Sequence, residues 1–196
     1  MGVEQSRAHA DLFTGYTIGD VHRITDAILG ELILGPATFL QTVAGAPVFD
    51  ARERQHLADV RSVLVTFFGL VGLAIVVLSV AGWQARDRAW LWRAVAGGAA
   101  VLAGAVVVVG TVFAVFFDTA FELFHRLLFA GGSYTFDTTR ERLVQLFPET
   151  FWSETSVALG LVLLGLALTA TWFALHRVGP RPAPEVRPGT AREPTT

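Results

Sequence analysis

Five histidines are the side chains here best suited to take or give a proton near neutral pH: His9, His22, His56, His125 and His176. Two of them share a pattern. Glu53 stands three residues before His56, and Glu122 three before His125, a spacing that puts carboxylate and imidazole on one helical face. Asp59 adds a second acid three residues after His56. A carboxylate that accepts from one ring nitrogen fixes the tautomer and makes the other nitrogen a better base. Each block therefore holds half of an acid–base dyad, with Glu53, Asp59 and Glu122 as orienting groups. The plain alternative is a set of interfacial His and Glu residues that end helices and touch lipid headgroups. His9, near the N-terminus, and His176, beside Arg177, read as surface residues, and His22 leaves both readings open.

Other chemistries find less support. With no Cys there is no thiol nucleophile, disulfide, Cys-ligated zinc or iron–sulfur cluster. There is no G-x-S-x-G elbow, and Ser133 and Ser153 stand in loop sequence without a partner. Di-iron bundles use two Glu-x-x-His motifs plus two further Glu ligands. Here Glu31, Glu141, Glu149 or Glu154 would have to supply those from loops, so neither a metal nor a cofactor is expected, and a metal-dependent membrane hydrolase is a third-ranked reading. Gly97-Gly98 and Gly131-Gly132 lack a phosphate-loop context; the first pair, with Ala103, Gly104 and Gly110, suits close helix packing.

The elements that must hold these residues are membrane helices. Of 196 residues 53% are apolar and 16% charged, against roughly 25% charged in an average soluble domain, which excludes an ordinary water-soluble enzyme. Three uncharged stretches, at about 62–83, 94–117 and 155–175, each reach the roughly 20 residues a spanning helix needs. The fold class expected is all-α, a polytopic transmembrane bundle with amphipathic helices outside the membrane. All 15 basic residues are Arg. Arg86, Arg88 and Arg93 in the link after the first stretch, and Arg177, Arg181, Arg187 and Arg192 after the third, put both on the cytoplasmic side of the membrane. Residues 1–60, with eight acidic and four basic side chains, and loop 118–154, with six and three, then face outward. A net charge of −2 argues against a nucleic-acid partner.

Three regions follow: an outward amphipathic segment 1–60, a membrane bundle 61–176, and a disordered cytoplasmic tail 177–196 rich in Pro and polar residues. Exporting 60 residues without a leading apolar segment leads us to expect a further span before them. Within the segment, a surface helix from about Ile18 to Leu34, capped by Asp20 and ended by Gly35-Pro36, suits the pattern. Loop 118–154 is too apolar to be a solvated linker. Phe121, Phe124 and Leu128 share one helical face, and Leu143, Leu146 and Phe147 another in a helix over 139–147 stopped by Pro148.

The stretch Phe121 to Trp152, FELFHRLLFAGGSYTFDTTRERLVQLFPETFW, together with Glu53 to Val60, ERQHLADV, resembles the bacterial lipoprotein intramolecular transacylase family over about residues 12–175. The departures are Thr138 where Pro is expected, Glu141 for Asp, and Tyr134 where the aromatic is often Trp. The resemblance implies four membrane helices and a catalytic region on the outer side. It also implies an acyl shift: the sn-2 chain of a lipoprotein's diacylglyceryl-cysteine moves to that cysteine's own α-amino group. His56 and His125 match the family's two functional histidines. One imidazole can deprotonate the amine and the other protonate the leaving alkoxide, with Tyr134 first and Tyr16 second as donors to the tetrahedral oxyanion. Acyl chains would lie between the spans near Phe67, Phe68, Phe113, Phe116 and Phe117. The competing class is a non-catalytic membrane protein that binds lipid or scaffolds a partner.

Overall fold

In the computed structural model of the chain, residues 12, 14–85, 87–129, 132 and 134–178 are described; His9, Ser133 and the tail from Gly179 lie outside them. Helix α1 covers Ile18–Ile33, followed by a two-stranded antiparallel hairpin of β1 (Thr42–Val43) and β2 (Ala46–Pro47). Then come α2 (Ala51–Gln84), α3 (Arg88–Val115), α4 (Phe117–Leu128), the one-turn α5 (Arg142–Leu146) and α6 (Glu149–Val178). The protein is a helical membrane protein: α2, α3 and α6 are each long and apolar enough to cross a bilayer.

The residue that caps α1 is Thr17 rather than the expected Asp20. Its hydroxyl oxygen accepts the Asp20 N–H at 3.1 Å, while Asp20 sits in the first turn, where a carboxylate suits the helix dipole. Thr17→Ala is expected to cost about 1 kcal/mol, read as a small fall in thermal midpoint with unchanged helix content.

The apolar stripe of α1, Val21, Ile24 and Ile28, is not laid on a surface. It is buried in a core with Phe39, Val48, Phe49, Leu57, Leu143 and Leu146, contributed by the hairpin segment, the first turns of α2, and α5. Residues distant in sequence thus build a small folded cap at one end of the membrane helices.

Glu31, which interrupts the apolar run after Ile28, organises this cap. One of its oxygens accepts from the backbone N–H groups of Thr38 (2.7 Å) and Phe39 (2.8 Å), and the other from the Gln41 side chain (2.8 Å). The hairpin turn places both Ala44 and Gly45 at positive φ, the conformation that two-residue hairpins require.

At the start of α2, the Asp50 carboxylate accepts from Arg52 N–H and Glu53 N–H, and Glu53 returns a bond to Asp50 N–H, all at 2.8 Å. This capping box fixes where the helix begins. It therefore also fixes the height of His56, six residues or about 9 Å above the uncharged stretch that starts at Ser62.

The second apolar stretch ends earlier than its hydropathy implies. The backbone breaks at Phe116, which closes α3 and opens α4, so Phe117 belongs to the next helix. Likewise Pro148 does more than stop α5: its carbonyl accepts from Phe151 N–H (2.9 Å) and begins α6. Helices α3 and α6 pack along their length through Ala96, Ala103, Ala167 and Ala174. Of the small residues expected here Ala103 lies in the contact and the glycines do not: a Cβ placed on Gly97, Gly98, Gly104 or Gly110 meets nothing within 4 Å. The membrane stretch of α2 is exposed on all sides, the surface a lipid-facing helix presents.

Candidate active site

His56 lies in the second turn of α2 and His125 in the last turn of α4. The cap brings their rings together, nearly parallel at 25°, with centroids 6.0 Å apart. Aromatic side chains wall the pair. Phe129 stands 4.9 Å from the His56 ring and 5.6 Å from that of His125, and Phe136 packs edge-on to His56 at 5.3 Å. Phe121 lies 4.2 Å, and Tyr134 5.3 Å, from the His125 ring.

The wall buries His56 and leaves His125 half-buried, and that burial sets the charge state. His56 is only 6% exposed. Burial, helped by the neighbouring His125, pushes its pKa down to about 4 against the opposing pull of Asp59, and burial also lowers that of His125. Both imidazoles are therefore neutral at neutral pH.

Their nitrogens differ. The Nδ1 of His125 lies 2.8 Å from the Phe121 carbonyl oxygen. A carbonyl only accepts, so this bond assigns the proton to Nδ1 and leaves the lone pair on Nε2. The Nδ1 of His56 is buried without a hydrogen-bond partner, a costly state for a polar atom unless something else fills the place.

The unfolded chain binds these protons with ordinary histidine affinity, whereas the folded protein holds them more weakly. Stability is thus complete above about pH 6.5, and it falls as the pH drops from there toward 4. Thermal unfolding followed from pH 7.5 to 4.5 is expected to show the midpoint falling across that window, with the fall reduced in His56→Phe.

The expected orienting groups fall elsewhere. Both Glu53 oxygens are engaged, one by Asp50 N–H and the other by Leu143 N–H at 2.7 Å. Glu53 thus ties the start of α2 to α5 instead of holding the His56 ring. Glu122 pairs with Arg126 at 2.5 Å, because an exposed guanidinium one turn ahead is a better partner than a neutral, buried ring. His125 is oriented by a backbone carbonyl instead. Asp59 accepts from Gln55 at 2.9 Å, and its charge pulls the His56 pKa upward. Tyr134 does join the pair, with Arg126 in reach of its hydroxyl. Tyr16 packs beneath the Arg142 guanidinium at the cap core and makes no ring contact with either histidine among the described residues.

Sequence reasoning missed Phe129, Phe136 and Arg52. Arg52 bonds both the Thr135 carbonyl and Glu141 at 2.6 Å and covers the Phe136 ring at 5.3 Å, clamping the extended segment that carries Phe136 over His56. No spacing in the chain announces it, since 83 residues separate Arg52 from Thr135. Among the described residues no three His, Cys, Asp or Glu side chains gather as a metal-binding group.

Fold and site define a class: a helical integral membrane protein with a neutral histidine pair, one ring buried and the other half-buried, held beyond its spanning stretches. Residues 27–152 match the family described as Lipoprotein intramolecular transacylase Lit, and the chain belongs to that family. By its description the family comprises transacylases that act within lipoproteins. No curated protein and no solved structure matches the chain.

Proposed function

We propose that the protein moves the sn-2 acyl chain of a diacylglyceryl-modified lipoprotein onto the α-amino group of the same cysteine, with His56 and His125 as catalytic residues. The observation that carries the reading is the meeting of two neutral imidazoles from segments 69 positions apart, about two turns above a spanning stretch, in a chain of the transacylase family. The histidine end faces outward and the arginine-rich link and tail face the cytoplasm, in keeping with the distribution of Arg.

The amine nitrogen attacks the ester carbonyl carbon. His125 Nε2 takes the amine proton, for which its Nδ1–H bond to the Phe121 carbonyl leaves it the right tautomer. Collapse of the tetrahedral intermediate breaks the bond to the glycerol oxygen, and that oxygen receives the proton from His125. An amide and a free sn-2 hydroxyl result, with no net gain or loss of protons. His56 stays uncharged throughout and uses its unpartnered Nδ1 to hydrogen-bond the developing alkoxide. Tyr134, beside His125, donates to the oxyanion. Because amine and ester belong to one molecule, holding them in near-attack geometry supplies much of the acceleration. The acyl chains lie among the exposed aromatic side chains of α2 and α3, including Phe67, Phe68 and Phe116.

The test is mass spectrometry of the N-terminal peptide of a reporter lipoprotein, with the protein expressed in a host lacking N-acylation. The expected product has unchanged mass, and its fragmentation places one acyl group on the amine. If fragmentation still places both chains on glycerol, the acyl-shift reading fails and the lipid-binding alternative takes its place.

A further inference from the structure

A cleft of about 540 Å³ opens beside the histidine pair, between the hairpin exit (Pro47 to Asp50), the first turn of α2 and the segment from Asp137 to Arg142. Its volume lies within the usual range for sites that hold a small ligand. It neighbours the site already described without sharing its lining: Glu53 in its wall stands one turn before His56, and Arg52, also in its wall, covers the Phe136 ring that packs on His56. Three levels therefore succeed one another along α2. The uncharged stretch begins at Ser62, the imidazole lies about 9 Å above it, and the cleft stands roughly 5 Å higher again.

The wall carries four carboxylates and three guanidinium groups. Arg52 is already paired with Glu141 at 2.6 Å, Arg140 stands 3.8 Å from Asp137, and Arg142 bonds the Gln145 side chain at 2.7 Å. An excess of acid, with each guanidinium already engaged, disfavours a phosphate or another anion. It suits a chain that is uncharged on average and rich in hydrogen-bonding groups.

Resting on the acyl-shift reading, we propose that this cleft receives the first few residues of the lipoprotein polypeptide that follow the modified cysteine. The order hydrocarbon, imidazole pair, polar cleft would then match the order acyl chains, ester and amine, peptide in the substrate. An extended peptide advances about 3.3 Å per residue, so the second to fourth residues fall within it.

The experiment uses the full chain in nanodiscs and synthetic diacylglyceryl-cysteine substrates extended by zero, one, three or five neutral residues. KM is expected to fall about tenfold between the bare cysteine amide and the four-residue peptide, then level off, with kcat unchanged. A four-residue peptide with a photoreactive side chain at its third position is expected to cross-link within 47–53 or 137–142. A KM independent of length, or cross-links that fall elsewhere, overturns the cleft assignment while leaving the acyl shift intact. Cross-linking in the cleft without turnover of any substrate upholds the peptide site and defeats the acyl-shift reading instead.

Discussion

His125→Ala lowers kcat/KM for the acyl shift by about 10²- to 10⁴-fold, the range for loss of a positioned general base. The expectation follows from geometry. Among the two rings, His125 alone has its Nδ1 proton assigned by a carbonyl, so its Nε2 is set to receive the amine proton. On the proposed mechanism His56→Ala is expected to fall in the same range, because it removes the buried Nδ1 proposed to bond the reacting oxygen. If the two act as one unit, the double variant is little worse than the worse single one. Additive losses would separate their roles, and a His125→Ala protein within tenfold of wild type would remove it from the chemistry. His125→Gln serves as a control, since it retains a polar side chain of similar reach without a usable base.

Glu53→Ala is expected to cost about 3 kcal/mol of stability. The side chain is 2% exposed and receives two backbone N–H groups, from Asp50 and from Leu143, residues that belong to segments 93 positions apart. Truncation leaves the buried Leu143 N–H without its acceptor, at about 1–3 kcal/mol, and opens the capping box at Asp50, at about 1 kcal/mol more. Because burial already raises the Glu53 pKa, Glu53→Gln is expected to recover part of the loss: an amide oxygen can still accept one of the two bonds. Thermal and denaturant unfolding in detergent check the ordering wild type, Gln, Ala. Equal stability of Ala and wild type would mean that the α2–α5 tie contributes nothing. Activity in the Gln variant is expected to fall chiefly in kcat, since the tie keeps α5, and with it the segment bearing Phe136, in place over His56.

Much of the membrane portion is legible from composition, because a bilayer imposes a length and an apolarity that sequence displays directly. The three stretches at 62–83, 94–117 and 155–175 each fall within or across a helix described here, and their misplaced ends have local causes. Phe116 breaks the second helix although nothing in its hydropathy differs from its neighbours. Pro148 reads as a stop because a proline lacks the N–H a helix interior needs, yet the same lack makes it a good beginning.

The Glu-x-x-His spacing singled out two histidines whose rings the fold brings together, but not because the carboxylates hold them. Spacing says which side chains share a face, but it cannot say which competitor claims a carboxylate first. Glu53 was claimed by backbone donors and Glu122 by Arg126.

By itself, then, the chain determined three spanning helices, the family to which it belongs, and the two imidazoles worth attention, since these depend on local composition and short-range pattern. Only the tertiary structure decided that those rings meet, that Phe129 and Phe136 pack on His56 and bury it, and that Arg52 and Glu53 fasten the cap around them. Contacts such as Arg52 to Thr135 and Glu53 to Leu143 join residues more than 80 positions apart. Their existence depends on how α1, α5 and the first turns of α2 share one buried core, a many-body packing result that no periodicity along the chain encodes.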